Sequence, residues 1–437
     1  MSKPGKPPRS RSATASVFWR YWTGSTVSLL GDAVTAVALP LTAVTVLHAS
    51  GFEVGLVTAA GYVAWAVIGL PAGALVGRLP LRGTQVAMDL IRAAALLSVP
   101  ATGWLGLLGV PQLVLVALVV STAGVVFDIG NSTLLPSIVG RDELTARNSL
   151  TSASVSATQL CGPALGGALV QLAGAATSLI FDVASYLVSA VMLRTLPRPR
   201  RLTPAKPDSS VRGAIREGWR FVTGHPVIRP CVLDATVINF VCGGLMTLTP
   251  VFLVRTLHAS PGLVGVLMAA EGAGSLAGAT LTPRLSSRVG SARAVLLAAT
   301  AAPALIVLMP AASAGWGLLL FAAGNAGFAA AVVVSSILTR THRQTITPPD
   351  LLPRVMATVR FISWGAIPLG ALGSGAAASL LGPRTALWLD CAVILLAPAI
   401  LWASPVRARR ELAGADGPAR PSEAGAPARA STAGEGS

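Results

Sequence analysis

Charged residues are scarce in this chain, and that scarcity excludes most soluble folds. Only 11% of the 437 residues are Asp, Glu, Lys or Arg, whereas soluble domains average about 25%. Apolar residues make up 53% of the chain. A soluble chain of this length would divide into domains, and each domain would need a charged surface that this composition cannot supply. We therefore expect a protein whose surroundings are lipid.

Cysteine and histidine are also sparse, with four residues of each. Their spacing matches neither a C-x-x-C pair nor an H-E-x-x-H motif, so we expect no disulfide framework and no metal site. The ATP-binding pattern G-x-x-x-x-G-K-[ST] does not occur, and no Ser/His/Asp grouping falls within the apolar runs. The sequence predicts that the protein is not an enzyme and has no cofactor.

Acidic residues are fewer than basic ones, and the formal net charge is +16. Lys and Arg occur in short clusters between long apolar runs rather than along one amphipathic face. Aromatic residues are only 5% of the chain and form no base-stacking motif. We therefore predict no nucleic-acid partner and attribute the basic charge to membrane topology.

Long apolar runs dominate what is present. A helix of about 20 mostly apolar residues crosses the hydrocarbon core of a bilayer, and twelve runs meet this requirement. The predicted fold class is an all-α membrane protein with twelve transmembrane helices. The runs cover residues 22–48, 52–77, 85–108, 111–136, 150–173, 175–195, 228–255, 262–283, 293–311, 314–338, 355–381 and 384–404.

The positions of Lys and Arg predict the orientation. Basic residues concentrate in both tails and in every second loop, whereas the opposite loops hold only Arg255 and Arg384. By the positive-inside rule, both termini are cytoplasmic. The predicted organisation is a basic N-tail at 1–20, a six-helix bundle at 21–195, a basic cytoplasmic linker at 196–227, a second six-helix bundle at 228–404 and a disordered C-tail at 405–437.

The two predicted bundles repeat each other. Residues 47–60 read LHASGFEVGLVTAA and residues 257–270 read LHASPGLVGVLMAA, with eight of fourteen positions identical. Gly174 and Asp182 match Gly382 and Asp390 in the same way at a distance of 208 residues. Six helices lie within that distance. Because the number per half is even, we predict a parallel repeat rather than an inverted one.

Several motifs resemble those of the major facilitator superfamily. Residues 162–167, GPALGG, resemble the GPxxGG motif of exporters in that superfamily, and residues 73–82, GALVGRLPLR, resemble its loop signature G-x-x-x-D-R-x-x-x-R/K. Segments of the first helix, together with Phe127-Asp128 and residues 217–226, are similar to the enterobactin-exporter-like and macrolide-efflux-like branch. The resemblance covers nearly the whole chain.

The resemblance implies two six-helix bundles that rock around a central site, and a secondary transporter that exports its substrate. Gly77 stands where the loop signature has Asp, so the cytoplasmic lock either is lost or uses another acid such as Asp89. An ion pair with Arg92 is the alternative role for Asp89. Pro163 would kink its helix, and the neighbouring glycines would allow close packing against the other half. The predicted gating residues are Arg78, Arg82, Asp89, Arg92, Gly162, Pro163, Gly166 and Gly167.

Acidic residues inside the apolar runs are the candidates for chemistry. A charge at the centre of a membrane helix costs about 2.5–3.5 kcal/mol on insertion scales. Low dielectric favours the protonated carboxyl, so such an acid could take up a proton outside and release it inside. Polar stripes on helices 1, 4 and 7 would face the central cavity in the resembled fold. The predicted proton- or substrate-binding residues are Asp32, Asp128, Glu271, Asn131, Asn239 and Asn325.

Other acids have structural explanations. Asp182 and Asp390 are expected to stabilise helix N-termini and to pack there, and Asp234 could pair with Arg229. For Glu271 an interhelical hydrogen bond is the alternative, with Arg360 as a partner for it or for another acid. The aromatic residues expected to contact substrate are Tyr62, Trp65 and Trp364.

The predicted function is proton-coupled export of a small amphipathic compound, such as a drug, antibiotic or siderophore, with the proton gradient as energy source. A metabolite importer of the same fold is the alternative, and a non-transporting receptor or scaffold is a third class. The expected partners are a small-molecule substrate and the bilayer, and we expect a monomer. A composition rich in Ala, Gly and Arg is typical of a GC-rich bacterial genome, which predicts the bacterial cytoplasmic membrane as the location.

Overall fold

Helices form nearly all of the structure. The computed structural model describes residues 11–76, 80–139, 143–197, 211–348 and 351–412, and these contain no β-strand. The α-helices are α1 (Arg11–Leu41), α2 (Gly51–Val76), α3 (Leu81–Trp104), α4 (Val110–Ile138), α5 (Leu144–Ala173), α6 (Ala175–Thr195), α7 (Val211–Gly224), α8 (Ile228–Val251), α9 (Pro261–Val289), α10 (Ser291–Ile306), α11 (Leu308–Ala311), α12 (Leu318–Ile346), α13 (Leu352–Trp364), α14 (Ala366–Leu381), α15 (Pro383–Val393) and α16 (Leu396–Trp402).

The surface of these helices suits lipid rather than water. Within the described residues, ten helical segments have both the length and the hydropathy of a membrane span. Helices α2 and α5, with 26 and 30 residues, also have the length. Large apolar side chains point outward, including Trp316 and Leu172 at 87% and 85% exposure. A soluble protein rarely exposes so much apolar surface.

Prolines divide three of the predicted spans into two helices each. Helix α10 ends at Ile306, α13 ends at Trp364, and α15 is followed by its cap residue Ile394. Each of these ends lies four residues before a proline. Proline has no N–H to bond the carbonyl of residue i−4, and its ring clashes with that carbonyl. The prolines concerned are Pro310, Pro368 and Pro398.

The helices join at two opposite ends of the molecule. We call distal the end with the connections at 47–50, 105–109, 174, 257–260, 312–317 and 382. The proximal end carries the described connecting residues 80, 139, 143, 196–197, 225–227, 290, 347–348 and 351, together with the described chain ends at 11 and 412. Helices α1 to α6 form the N-terminal half of the chain, and α8 to α16 form the C-terminal half.

The same unusual backbone geometry occurs once in each half. A π-helical turn at Thr42–Val46 has its counterpart at Phe252–Thr256. His48 and His258 follow these turns and have φ of 50° and 52°, a region that non-glycine residues seldom adopt. These features lie at the positions where the two halves share the sequence LHAS.

The two halves meet along the distal parts of α2, α5, α9 and α14. Within the described residues, hydrogen bonds that cross between them include Phe52 N to Ser379 Oγ at 2.8 Å, Gly262 N to Gln171 Oε1 at 2.9 Å, and Arg255 Nη2 to the Ala49 carbonyl. Glycine allows backbone-to-backbone contact here. A Cβ on Gly55 would lie 2.6 Å from the Ala371 carbonyl oxygen, and one on Gly167 would lie 2.7 Å from the Gly265 Cα. We call this contact the distal seam.

The start of the predicted disordered tail is folded, which corrects its boundary. Residues Pro405–Ala408 form a 3₁₀ turn, and Val406 and Leu412 are buried. The backbone N–H and the hydroxyl of Ser291 donate to the Glu411 carboxylate, and these hydrogen bonds hold the pKa of Glu411 below its usual range. Apolar burial and this contact therefore fix the chain to Leu412, and residues 413–437 lie outside the described part.

The predicted linker contains a helix. Helix α7 occupies Val211–Gly224 within residues 196–227, and Arg354 of α13 forms an ion pair with its Glu217. A Cβ on Gly218 would lie 2.8 Å from the Arg354 carbonyl oxygen, so α7 packs closely on α13. Helix α7 is thus attached to the C-terminal half near its proximal end.

Candidate functional site

A first cavity of 530 Å³ lies between the two halves. Asp32, Thr35 and Tyr186 contribute to its wall from the N-terminal half, and Met268 and Glu271 contribute from α9. Two of the three predicted proton-binding acids, Asp32 and Glu271, therefore face the same space. Glu271 is exposed to that space although helices surround it. Among the described residues that line this cavity there is no Lys or Arg.

A buried cluster of charges adjoins the first cavity. The Arg92 Nη1 lies 3.8 Å from Asp32 Oδ1, and its Nη2 donates to Asp89. The guanidinium lies between the rings of Phe127 and Tyr186, with its Cζ 4.4 and 4.2 Å from their centroids. The predicted i,i+3 pair of Asp89 with Arg92 is confirmed, and Asp32 is a second acid on the same guanidinium.

Asp182 joins this cluster, which the sequence reasoning missed. The Thr35 hydroxyl donates to Asp182 Oδ2 at 2.5 Å and the Ser185 hydroxyl donates to Oδ1 at 2.7 Å. Tyr186 on the same helix donates its hydroxyl to Asp32. Asp182 is seven residues inside α6, so it does not stabilise a helix N-terminus as predicted. The four-residue spacing of Asp182 and Tyr186, which places both on one helix face, was the available signal.

The surroundings of Asp390 in the C-terminal half resemble those of Asp182 in the N-terminal half. Its Oδ1 accepts a hydrogen bond from the Ser374 hydroxyl at 2.7 Å, and the side chain is 3% exposed. A Cβ on Gly244 of α8 would lie 2.4 Å from the Asp390 Oδ2, just as one on Gly31 of α1 would lie 2.0 Å from the Asp182 Oδ1. Both acids therefore pack where a glycine opens space on the neighbouring helix, and neither caps a helix.

Asp128 faces the gap between the halves. Its side chain is exposed there, and it interacts electrostatically with Asp32 and Arg92 on its own half and with Arg360 on the other. Arg360 packs against the rings of both Trp65 and Trp364, with its Cζ 4.7 and 4.5 Å from their centroids. Arg360 was predicted as a partner of Glu271 or of another acid, and it interacts electrostatically with Asp128 without an ion pair within 4.0 Å.

A second cavity of 690 Å³ lies between α8, α12 and α13, with Trp65 and Ile129 of the N-terminal half in its wall. Asn239 lines it as predicted, although its Nδ2 donates to the Ala235 carbonyl of its own helix at 2.7 Å. Tyr62 lines the first cavity, and Trp65 and Trp364 line the second. The three aromatic residues expected to contact substrate thus all reach a cavity wall.

Two polar residues that were predicted to bind protons or substrate, Asn325 and Asn131, do not line either cavity. Asn325 is 7% exposed and its Nδ2 donates to the Leu267 carbonyl at 3.2 Å, so it links α12 to α9 instead of lining a cavity. Asn131 lies against the Tyr21 side chain and is not part of either cavity wall. Both predictions as binding residues used helical spacing together with the cavity-lining helices of the resembled fold. That spacing defines a helix face but does not say which neighbour covers it.

The predicted gating glycines pack against two different helices, α1 and α9. A Cβ on Gly162 would lie 2.3 Å from Ala33 Cβ, and one on Gly166 would lie 3.2 Å from Val34 Cα. Both therefore pack against α1 of the same half, contrary to the prediction. Gly167 contacts α9 of the other half, and a Cβ on Gly265 would lie 2.4 Å from the Pro163 carbonyl oxygen. Pro163 lies within a continuous helix α5.

The predicted cytoplasmic lock is only partly described. Arg78 lies outside the described residues. Arg82 donates to the Leu196 carbonyl at 2.7 Å, within the same half. Asp89 pairs with Arg92, and its suggested role in the lock stays a prediction. Asp234 has no hydrogen-bond partner on either oxygen, so the suggested pair with Arg229 does not form. Among the described residues, no group of three metal-ligating side chains comes together.

Membrane-spanning helices around two interior cavities with charged side chains in their walls define the class: a multi-pass membrane transporter rather than an enzyme. The sequence profile of the transmembrane secretion effector family matches residues 12–421. The chain belongs to this family of major facilitator superfamily transporters.

Relatives of known name support the same class. The chain is 29% identical over 293 residues to the uncharacterized MFS-type transporter y4rN of Sinorhizobium fredii, which covers 66% of this chain and 71% of that protein. It is 27% identical over 383 residues to the multidrug efflux pump Tap of Mycolicibacterium fortuitum, covering 84% and 90%. It is 26% identical over 280 residues to the enterobactin exporter EntS of Salmonella typhimurium, covering 61% and 64%.

Solved structures show the fold. A mutant of the nucleoside transporter NupG superposes with a TM-score of 0.75 at 13% identity, covering 89% of this chain and 99% of that one. A bacterial homologue of the iron transporter ferroportin superposes with a TM-score of 0.73 in its inward-facing state and 0.58 in its outward-facing state, each at 16% identity and 90% of this chain. These cover 98% and 100% of the other chain.

Proposed function

We propose that this protein is a secondary active transporter that exports a small amphipathic compound in exchange for protons. The observation that carries the proposal is the placement of Asp32, Asp128 and Glu271. All three are accessible from the space between the two halves. Intramembrane acids on such a surface are a common feature of proton and substrate pathways.

The proposed fold has twelve transmembrane helices in two parallel repeats. The paired π-helical turns, the paired His48 and His258 conformations, and Gly174 and Gly382 with φ of 86° and 87° support it. In this arrangement α10 with α11, α13 with α14, and α15 with α16 each count as one spanning segment. The helix α7 lies outside the twelve.

The proposed mechanism is alternating access, with both termini cytoplasmic and the protein in the bacterial inner membrane as a monomer. The distal end would then face outward. The distal seam is closed and the second cavity extends to proximal residues such as Gln344, which favours an inward-facing state. The higher TM-score to the inward-facing ferroportin homologue agrees with that assignment.

The buried cluster suggests how protons couple to transport. Asp32, Asp89 and Asp182 surround a single guanidinium, that of Arg92. One cation does not neutralise three carboxylates in a medium of low dielectric, so we propose that the cluster retains a proton. Asp32 reaches the first cavity, where a bound substrate and that proton compete. A proton that enters from outside would then displace the substrate from its place beside Asp32.

Export rather than import is supported by the relatives and by the helix-5 motif. Tap is a multidrug efflux pump and EntS an enterobactin exporter, and residues 162–167 carry the GPxxGG pattern. The solved structures with this fold include a nucleoside transporter, so the fold alone does not determine direction.

The test uses everted membrane vesicles from an efflux-deficient bacterium. A proton gradient, acid inside, is generated and reported by a quenched acridine dye, and candidate drugs, siderophores and dyes are added. We expect an exported compound to release the quench in vesicles with the parent protein and not in vesicles with the double variant Asp32→Asn/Asp128→Asn. Glu53→Gln, at the start of α2 and outside both cavities, is the control for charge removal.

Each outcome separates one part of the proposal. Release by the parent and by the double variant alike would refute the assignment of these acids while leaving export intact. Growth protection without any dequenching would refute proton coupling. Accumulation of compound in right-side-out vesicles would reverse the direction.

A further inference from the structure

The second cavity has unpartnered hydrogen-bond donors in its wall. Arg343 is 7% exposed, it lines the cavity, and its Nε and Nη1 have no hydrogen-bond partner. The hydroxyls of Ser335 and Ser363, each 4% exposed, also have none. Buried polar groups are nearly always hydrogen-bonded. A cluster of free donors around one cavity therefore indicates a bound group with acceptor atoms.

The cations of this cavity outnumber its acids. Arg340, Arg343 and Arg360 line it against a single acid, Asp234. Asp234 is fully buried, and nothing in the described structure pairs it with any of the three arginines. The first cavity has the opposite balance, with Asp32 and Glu271 in its wall. The two cavities thus offer opposite charge to a ligand.

Arg360 is presented to the cavity in a fixed position. Its guanidinium lies against the faces of Trp65 and Trp364, whose centroids are 5.4 Å apart. Stacking on aromatic rings leaves the edge of a guanidinium free, and that edge is the part that binds a carboxylate or phosphate with two hydrogen bonds. The same indole rings supply apolar surface beside the charge.

From these contacts we propose that the second cavity binds an organic anion: a planar, largely apolar molecule that carries a carboxylate, sulfonate or phosphate group. Arg343 and Arg360 bind the anionic group, and Trp65 and Trp364 contact the apolar part. The inference rests on the proposed transport function and names its substrate class. It is independent of proton coupling, because it concerns equilibrium binding.

The positive-inside rule does not account for these side chains. A basic residue that only sets topology extends to the membrane surface, where water solvates it. Arg343 instead is nearly fully buried beside the cavity. Arg360 lies four residues before the end of α13 at Trp364 and six residues inside the span 354–381, where it packs on Trp65 and Trp364. Both are therefore placed for contact within the protein.

The test measures binding of three probes to the purified protein in detergent, without any gradient. Dansylglycine is an anion, dansylglycinamide is its neutral counterpart, and dansylcadaverine is a cation, so the set varies charge on one aromatic group. Energy transfer from the nine tryptophans to the dansyl group reports binding to the protein, and the arginine variants assign it to the second cavity. We expect dansylglycine to bind about tenfold more tightly than the amide, which corresponds to about 1.4 kcal/mol.

The variants Arg343→Gln and Arg360→Gln should each remove that preference and leave the affinity for the amide unchanged. Arg288→Gln, exposed at the end of α9 and outside the cavity, removes the same charge and should bind like the parent. Arg343→Lys should recover part of the preference. The Arg360 variant keeps the test available if Arg343→Gln does not fold, since Arg360 is exposed to the cavity.

Three results would overturn the proposal. Equal affinity for all three probes would show that charge is not recognised. Tighter binding of dansylcadaverine would make the site a cation site. Loss of amide and anion binding together would mean that the arginines only maintain the shape of the cavity. A failed vesicle assay with the dansylglycine preference intact would refute proton-coupled export and leave this site standing.

Discussion

The substitution Gly167→Ala should open the distal seam. A Cβ at this position would lie 2.7 Å from the Gly265 Cα and from the Pro261 carbonyl oxygen, and 2.9 Å from the Gly265 nitrogen. These are backbone atoms of α9, so no side chain can rotate away to make room. Ordinary contact begins at 3.4 Å, which requires α9 to move by about 0.7 Å.

The cost falls on only one conformation. Over-packing of this kind costs about 1–3 kcal/mol, and it applies where the seam is closed and not where it is open. A free-energy difference of that size shifts a two-state equilibrium by about 5- to 150-fold. We therefore expect Gly167→Ala to populate a distal-open state that is minor in the parent protein.

Distances between spin labels at Leu172 and Leu380 measure this shift. Both residues lie at the distal end, on opposite halves, and are 85% and 83% exposed. The four free cysteines are first replaced by alanine. Gly124→Ala is the matched control, because a Cβ on Gly124 meets nothing within 4 Å. Unchanged distance distributions in Gly167→Ala, or the same shift in the control, would refute the reasoning.

Three further predictions concern single contacts. Arg92→Gln leaves Asp89 without its cation and should lower the unfolding free energy by about 3–5 kcal/mol; an unchanged melting temperature in detergent would contradict this. Asn325→Ala removes the hydrogen bond to Leu267 and should cost about 1 kcal/mol without loss of dye export, whereas loss of export at matched expression would restore Asn325 as a binding residue. Glu411 has a lowered pKa, so its contact with Ser291 should be complete above the usual carboxyl pKa and lost as pH falls through the lowered value. Hydrogen exchange at residues 291–292 measures this, and the pH dependence should vanish in Glu411→Gln.

Local sequence patterns were sufficient to predict the class of protein, its membrane-spanning helices and its i,i+3 ion pair. Long apolar runs predict spanning helices because a helix satisfies its own backbone in lipid, and Asp89 pairs with Arg92 because residues three apart share a helix face. The interruptions before Pro310, Pro368 and Pro398 follow equally local rules, although the sequence reasoning did not apply them.

The sequence did not predict which neighbouring helix or cavity each helix face contacts. Asp32 and Asn325 are both polar residues on mostly apolar helices. Asp32 lines a cavity, whereas the Asn325 side chain donates a hydrogen bond to a backbone carbonyl of a neighbouring helix. Gly162 and Gly167 belong to one motif, but they pack on different halves of the molecule. The helical period predicts only the direction in which a side chain points from the axis of its own helix.

The sequence by itself determined that this chain is a helical membrane transporter, because hydropathy and short motifs are properties of neighbours along the chain, and it predicted repeated halves and acids at membrane depth. Only the tertiary structure decided that Asp32, Asp89 and Asp182 share the surroundings of Arg92, and that Arg360 packs against both Trp65 and Trp364. These groups come from helices far apart in sequence. Their interaction energies depend on distances of a few ångströms, which are set by how the helices pack.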